Sequence, residues 1–325
     1  MSMISRVAES CFWLTRYLER AENVARLIRV NQDVVLDSQA GWMPLIVVVG
    51  EQERFEAHFG DDVSGEAVQE YLTWDERNPI SIVSSIRWMR ENARTIREVI
   101  SLETWKCANR YWTWLRSDAA RALYHSDPQD FYGEVTRLSV EIQGWVMNTM
   151  MHEQPFDFMA MGRLLERASQ TARTMDIKHH MLGSEDPGEL ESPLAAAEWS
   201  ALLKSCSADE PFYKRHSELP RGALVAEFLL QNPTFPRSVL YCLSRGERFL
   251  TRIRESVPEN VGRASADKLR ALVQSLENTP CSEIMNRGIH NELTRVVEAT
   301  AEVCNQIHYD YFDPAPGQTQ SQSQD

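Results

Sequence analysis

Two clusters of arginine and glutamate hold the residue types in this sequence best placed to do chemistry. The first is Arg16, Glu19, Arg20 and Asn23; the second is Arg163, Glu166 and Arg167. Each belongs to an Arg-x-x-Glu-Arg-Ala-x-x-x-Ala-Arg pattern. Ala21, Ala25 and Arg26 complete one copy, and Ala168, Ala172 and Arg173 the other, at a constant offset of 147 residues. A guanidinium presents paired N–H donors that match a carboxylate or phosphate, so Arg16, Arg20, Arg163 and Arg167 read as anion-holding forks. Glu19 and Glu166 read as paired carboxylates suited to acid and base work. A blander reading fits the same spacing. Arg16 and Glu19 are i,i+3 neighbours, and Glu19 and Asn23 are i,i+4, so the cluster also describes an ion-pair ladder along one helix or a buried structural network. A solvated ladder has little reason to keep one spacing in two places, and the repetition keeps the site reading open.

A third cluster lies at 87–98. Arg87, Glu91, Arg94 and Glu98 share one helix face, with Arg90 and Arg97 beside them. Arg90, Glu91 and Arg94 are candidate contacts for a carboxylate-rich or phosphorylated ligand; bridging to the acidic stretch 51–77 is the alternative. Metal chemistry is not expected. His152-Glu153 lacks the second histidine of H-E-x-x-H, and the adjacent His179 and His180 leave a helix on different sides. The motif helices contain no Glu-x-x-His pair of the kind that di-metal bundles use. There is no P-loop, G-x-G-x-x-G or G-x-S-x-G, and no cofactor is expected.

Helices must position these side chains, and the sequence offers little else. Residues 5–30 lack Pro and Gly and are rich in Ala, Leu, Arg and Glu, which predicts one long helix with Leu14, Leu18, Ala21, Ala25 and Ile28 as an apolar stripe. Pro155 opens the helix of the second motif, and Asn78-Pro79 opens one over 81–101. Further helices are expected at 101–124, 129–151, 193–206, 222–230, 236–255, 265–278 and 282–312. Residues 42–49 read as a shorter apolar segment and 51–77 as acidic and less regular. No stretch alternates with the period of a strand. The expectation is an all-α helical bundle, one domain over 1–312, with 183–193 the most linker-like interior stretch and a disordered polar tail at 313–325.

Shorter matches extend the repeat. Ser81-Ile82 and Ile96-Arg97-Glu98 meet Ser238-Val239 and Ile253-Arg254-Glu255 at an offset of 157, and Glu134 to Arg137 meets Glu292 to Arg295 at 158. Two tandem halves, 5–150 and 155–312, are therefore expected, packed about a pseudo-two-fold that brings the Arg/Glu helices together. The 325 residues are 43% hydrophobic and 25% charged, an ordinary globular composition. A net charge of −13 argues against a nucleic-acid binder. Six scattered cysteines with no C-x-x-C read as reduced core thiols. MSMISR carries no leader pattern, and the longest uncharged apolar run, 41–50, is too short for a bilayer. A cytoplasmic protein without membrane association is expected.

In order, SRVAESCFWLTRYLERAENVARL, NPISIVSSIRWMRENARTIREVIS, FDFMAMGRLLERASQTAR, VAEFLLQNPTFPRSV and IHYDYF resemble the bacterial alpha-E family, which has no assigned function. Trp88-Met89 departs from the small residues usual in relatives. The resemblance implies an all-helical protein encoded beside, or fused to, a circularly permuted ATP-grasp protein, often with a transglutaminase-like protease nearby. ATP-grasp enzymes activate a carboxylate as an acyl phosphate and pass it to an amine, so amide or peptide bond formation is implied. The first expectation is an accessory or substrate-binding subunit that orients a carboxylate-bearing peptide or small metabolite. The alternatives are an amidohydrolase or acyl transferase using Glu19 and Glu166, and a plain helical scaffold.

Overall fold

The two motif helices, α1 (Ser5–Asp37) and α9 (Gln154–Met181), cross at the centre of the molecule and pack on each other. The computed structural model describes residues 5–37, 41–181 and 193–312, with sixteen α-helices and no strand among the described residues. The fold is all-α. The side chains of His179 and His180, the 183–192 connector and the 313–325 tail lie outside what is described.

Between α1 and the 82–95 helix the chain forms α2 (Met43–Val49), α3 (Gln52–Phe59) and α4 (Gly65–Thr73), so the acidic stretch is helical rather than irregular. Its apolar residues explain this: Phe55, Val68, Tyr71 and Leu72 are buried at helical spacing despite the charges around them. α5 (Ile82–Thr95) stops short of 101, and the expected 101–124 helix is two, α6 (Leu102–Leu115) and α7 (Asp118–Ser126). Ser117 makes that division by accepting the Ala120 N–H as an N-cap. α8 is Pro128–Thr149. After α9 come α10 (Pro193–Ser205), α11 (Asp209–Tyr213), α12 (Gly222–Gln231), α13 (Val239–Glu255) and α14 (Arg263–Asn278). Gly288, at φ 94, divides the expected 282–312 helix into α15 (Cys281–Arg287) and α16 (Ile289–Ile307), which ends in a π turn, His308–Phe312.

The packing scheme occurs twice. α1 packs on α5 and α8, α5 on α6, and α6 on α8; α9 packs on α13 and α16, α13 on α14, and α14 on α16. The short helices cross over: α2 packs on α9, and α10 on α1. Details follow the same offset of 157. Gly65 lies so close to Trp42 that a Cβ there would sit 2.7 Å from the indole Nε1, and a Cβ on Gly222 would sit 2.9 Å from Trp199 Cζ2. Ser81 and Ser238 cap α5 and α13, accepting from Ser84 N–H and Tyr241 N–H. Among the described residues no helix is long and apolar enough to cross a membrane.

Where α1 and α9 cross, their backbones nearly touch. Thr15 Oγ1 donates to the Met159 carbonyl at 2.6 Å, while a Cβ on Gly162 would lie 2.4 Å from the Phe12 carbonyl oxygen. That carbonyl belongs to a helix and cannot swing away. Gly162→Ala should therefore push the helices apart and destabilise the protein by about 1–3 kcal/mol, the usual cost of overpacking. Urea unfolding of the two proteins would measure it, and an unchanged midpoint would show that the crossing is slack.

Candidate functional site

The close crossing places each motif glutamate beside the other helix's arginines. Glu166 accepts from Arg20 Nε at 2.8 Å, from Arg20 Nη2 at 3.2 Å and from Arg16 Nε at 2.9 Å. Glu19 accepts from Arg167 Nε at 2.6 Å and Nη2 at 2.7 Å. Asn23 donates to Gln170, its counterpart at offset 147, at 3.0 Å, and Gln170 donates on to Glu166. The arginines thus reach across the crossing instead of down their own helices. This is a buried network: Glu19 is 1% exposed and Glu166 3%. Outside it, Arg16 lies over the Trp13 ring at 4.4 Å and Arg20 over Tyr17 at 5.4 Å.

Burial alone would raise both carboxylic acids. For Glu19 the neighbouring Arg167 and Arg237 outweigh it, and for Glu166 Arg20 and Arg16 do, holding each at about 2. Neither is a proton donor near neutral pH. The raised carboxylate among the described residues is Asp157, at the start of α9, which burial pushes up to about 6 against the pull of Arg252 and His152.

The two poles of the network differ. Arg163 is the counterpart of Arg16, yet its buried Nε has no hydrogen-bond partner. Arg237, from the loop before α13, binds at Glu19 instead. Its Nη1 is 3.2 Å from Glu19 Oε1 and its Nη2 2.7 Å from Glu22 Oε1. Buried Glu22 also pairs with Arg26, and Gln143 donates to Glu22 at 3.1 Å and to Glu19 at 3.3 Å. Arg26 Nη1 is buried without a partner. This pole therefore sets four guanidiniums, Arg26, Arg163, Arg167 and Arg237, against the two carboxylates Glu19 and Glu22. Burial, with a neighbouring arginine, lowers the pKa of Arg26 and of Arg163. Arg237 also lines a cavity of about 450 Å³ with Ser207, Pro211, Arg215, Phe228 and Phe235.

A family described as Alpha-E, "a predicted alpha-helical domain with a conserved ER motif", matches residues 3–312. The chain belongs to the Alpha-E family. Uncharacterized proteins of Mycobacterium bovis and Mycobacterium tuberculosis are similar to this Alpha-E chain at 26% identity, with 83% of the chain and 34% of each relative in the match. The Alpha-E chain thus spans about a third of the length of these curated relatives. No solved structure matches it.

The structure joins Arg16, Glu19, Arg20, Asn23, Glu166 and Arg167 in the central network of the Alpha-E chain, with Arg163 at its edge. It keeps the third cluster apart. Arg90 donates to Asn109 and Glu91, Arg94 donates to Glu91, and Arg87 bridges to Glu76 in the acidic stretch. Sequence reading missed Glu22, Gln143, Gln170 and Arg237 as members of the network. Arg237 had a signal, since it lies in the NPTFPRS stretch of the resemblance; Gln143 had none. The described thiols are all free, and all but the partly buried Cys281 are buried.

Glu19→Gln or Glu166→Gln breaks a buried pair and should cost about 3–5 kcal/mol. The depressed pKa values fix the sign of the pH effect. Stability from these carboxylates is complete above about pH 5 and is lost as the pH falls toward about 2. Denaturation midpoints at pH 3, 5 and 7 should converge between wild type and either variant at the acid end. Asp157 has the opposite sign: its contribution is full below about pH 4 and lost as pH rises through about 6. Asp157→Asn should therefore stabilise the protein at pH 8 relative to wild type more than at pH 4.

Proposed function

We propose that this Alpha-E chain is a binding subunit in amide or peptide bond formation, working beside a circularly permuted ATP-grasp protein and holding a carboxylate-bearing peptide or metabolite for it. The partner, and the transglutaminase-like protease often encoded nearby, come from the family resemblance. The binding role has its own support. A general acid or base works best with a pKa near the operating pH, and Glu19 and Glu166 sit at about 2 under their arginines. This disfavours the amidohydrolase and acyl transferase alternatives that rest on those two residues. The observation that carries the binding reading is the surplus of guanidiniums at the Glu19 pole, one of which, Arg237, also faces a cavity.

In this reading Arg16, Arg20, Arg167, Glu19, Glu166 and Asn23 form the rigid frame, and Arg163 and Arg237 are the cations left for an anionic partner or ligand. Arg90, Glu91 and Arg94 form a separate face for protein contact. The doubled packing scheme is read as a gene duplication, with the ER motif assigned to Glu19-Arg20 and Glu166-Arg167.

The test is ATP consumption by the purified ATP-grasp partner with and without this chain. The chain alone should leave ATP intact, and adding it should increase turnover with a carboxylate substrate present. Arg163→Lys and Arg237→Lys keep the charge but lose the fork, and should cut that increase by roughly tenfold, the worth of one charge-assisted hydrogen bond, at little cost in melting temperature. Full activity in both variants would remove the forked-anion role. Hydrolysis of an amide by the chain without ATP or partner would favour the enzyme alternative.

A further inference from the structure

We propose that the cavity walled by Ser207, α11, α12 and the 232–237 loop binds a compact aromatic carboxylate, its acid group held by Arg237 and Arg215 and its ring lying against Phe228 and Phe235. This deepens the binding reading above and rests on it. The cavity, at about 450 Å³, has the size of a small-molecule site. Its walls are apolar at Pro211, Phe228 and Phe235, where the two phenyl rings lie 5.0 Å apart, and cationic at Arg215 and Arg237.

Arg237 is the arginine of the network that can be shared. Without it, Glu19 keeps both bonds from Arg167, and Glu22 keeps Arg26 and Gln143. Diverting Arg237 to a ligand strands no buried carboxylate, whereas Arg167 has no such freedom. Burial pushes the Cys206 thiol, next to Ser207, up to about 11 against the opposing pull of Arg237 and Arg26.

The first half carries different side chains at the matching positions. At an offset of 157, Gly50, Glu51, Tyr71 and Ile80 stand for Ser207, Ala208, Phe228 and Arg237. There the Tyr71 hydroxyl donates to buried Glu51 at 3.1 Å. At the matching positions the second half has neither that hydroxyl nor that carboxylate, and it has an arginine where the first half has Ile80. Backbone geometry is kept even at a cost. Ser207 holds φ 49 where Gly50 holds φ 77, and it is the described non-glycine residue with a positive φ. A strained serine is thus retained on the wall of the cavity.

The experiment is calorimetric titration of the purified full chain with phenylacetate, with acetate, phenethylamine and inorganic phosphate as controls. Phenylacetate should bind saturably at one site, and each control should bind roughly tenfold more weakly or worse, having lost the ring, the carboxylate or the fit to the apolar wall. Arg237→Gln should weaken phenylacetate roughly tenfold or more. It should also keep a melting temperature near wild type, unlike Glu19→Gln. Thr234→Trp, at an exposed loop position on the cavity wall, should block binding and decides the matter if Arg237→Gln does not fold. No saturable binding, phosphate binding as tightly as phenylacetate, or binding unchanged in Thr234→Trp would overturn the site. Because no ATP or partner is present, these results are separable from the subunit reading. Binding that Thr234→Trp abolishes, with ATP turnover by the partner untouched, would support the site and overturn that role for it.

Discussion

The exchange of ion pairs across the α1–α9 crossing is the constraint on which the rest of the structure depends. Two carboxylates almost removed from water would be costly alone, and forked arginines supply both charge and hydrogen bonds to offset that cost. The forks reach only because the helix backbones approach closely, which is why Gly162 lies against the Phe12 carbonyl and Thr15 bonds to that of Met159. The packing of α2 onto α9 and of α10 onto α1 then locks the crossing from both sides. Small residues, charge and topology thus form one requirement.

The network is nearly symmetric in geometry and asymmetric in charge. Around Glu166 the arginines are held between carboxylate and aromatic ring, with Trp13 and Tyr17 covering them. Around Glu19 the positions matching Trp13 and Tyr17 hold Ala160 and Leu164, and a loop arginine enters from α13's side, next to a further buried glutamate. One pole is closed and serves as a fixed joint. The other holds more guanidiniums than carboxylates and borders a cavity, and the proposed binding is placed there for that reason.

Much of this was legible in the sequence. The all-helical fold followed from the absence of strand periodicity and from caps and prolines at the right places. That the two Arg/Glu helices meet was expected from the repeated spacing, but the exchange of partners between them, and whether those faces were buried, was not. Burial depends on what packs over them, and that is set by residues distant in sequence. Gln143 lies 124 residues from Glu19 and Arg237 lies 218; the NPTFPRS stretch marked Arg237 but not its partner, and no local pattern marked Gln143. Helix ends were misread where a side-chain cap or a single glycine decided them, as at Ser117 and Gly288. The helices at 52–59 and 65–73 were hidden by their acidic residues, since they are short and their apolar positions are few.

The contact between Asn23 and Gln170 has a further consequence. If the two halves are copies, counterpart residues that touch each other lie on the axis relating them, and the reciprocal contacts of Thr15 with Met159 and of Gly162 with Phe12 fit the same arrangement. On the duplication reading, a single ancestral half would have met an identical chain there, each supplying the other's arginines. Alone, such a chain would have carried a solvent-facing strip of unpaired charges and a bare apolar face, and would have been stable only above the concentration at which it dimerised. On that reading, fusion would have made the association unimolecular and would have released the two sides from being identical, leaving one as a joint and the other free to change.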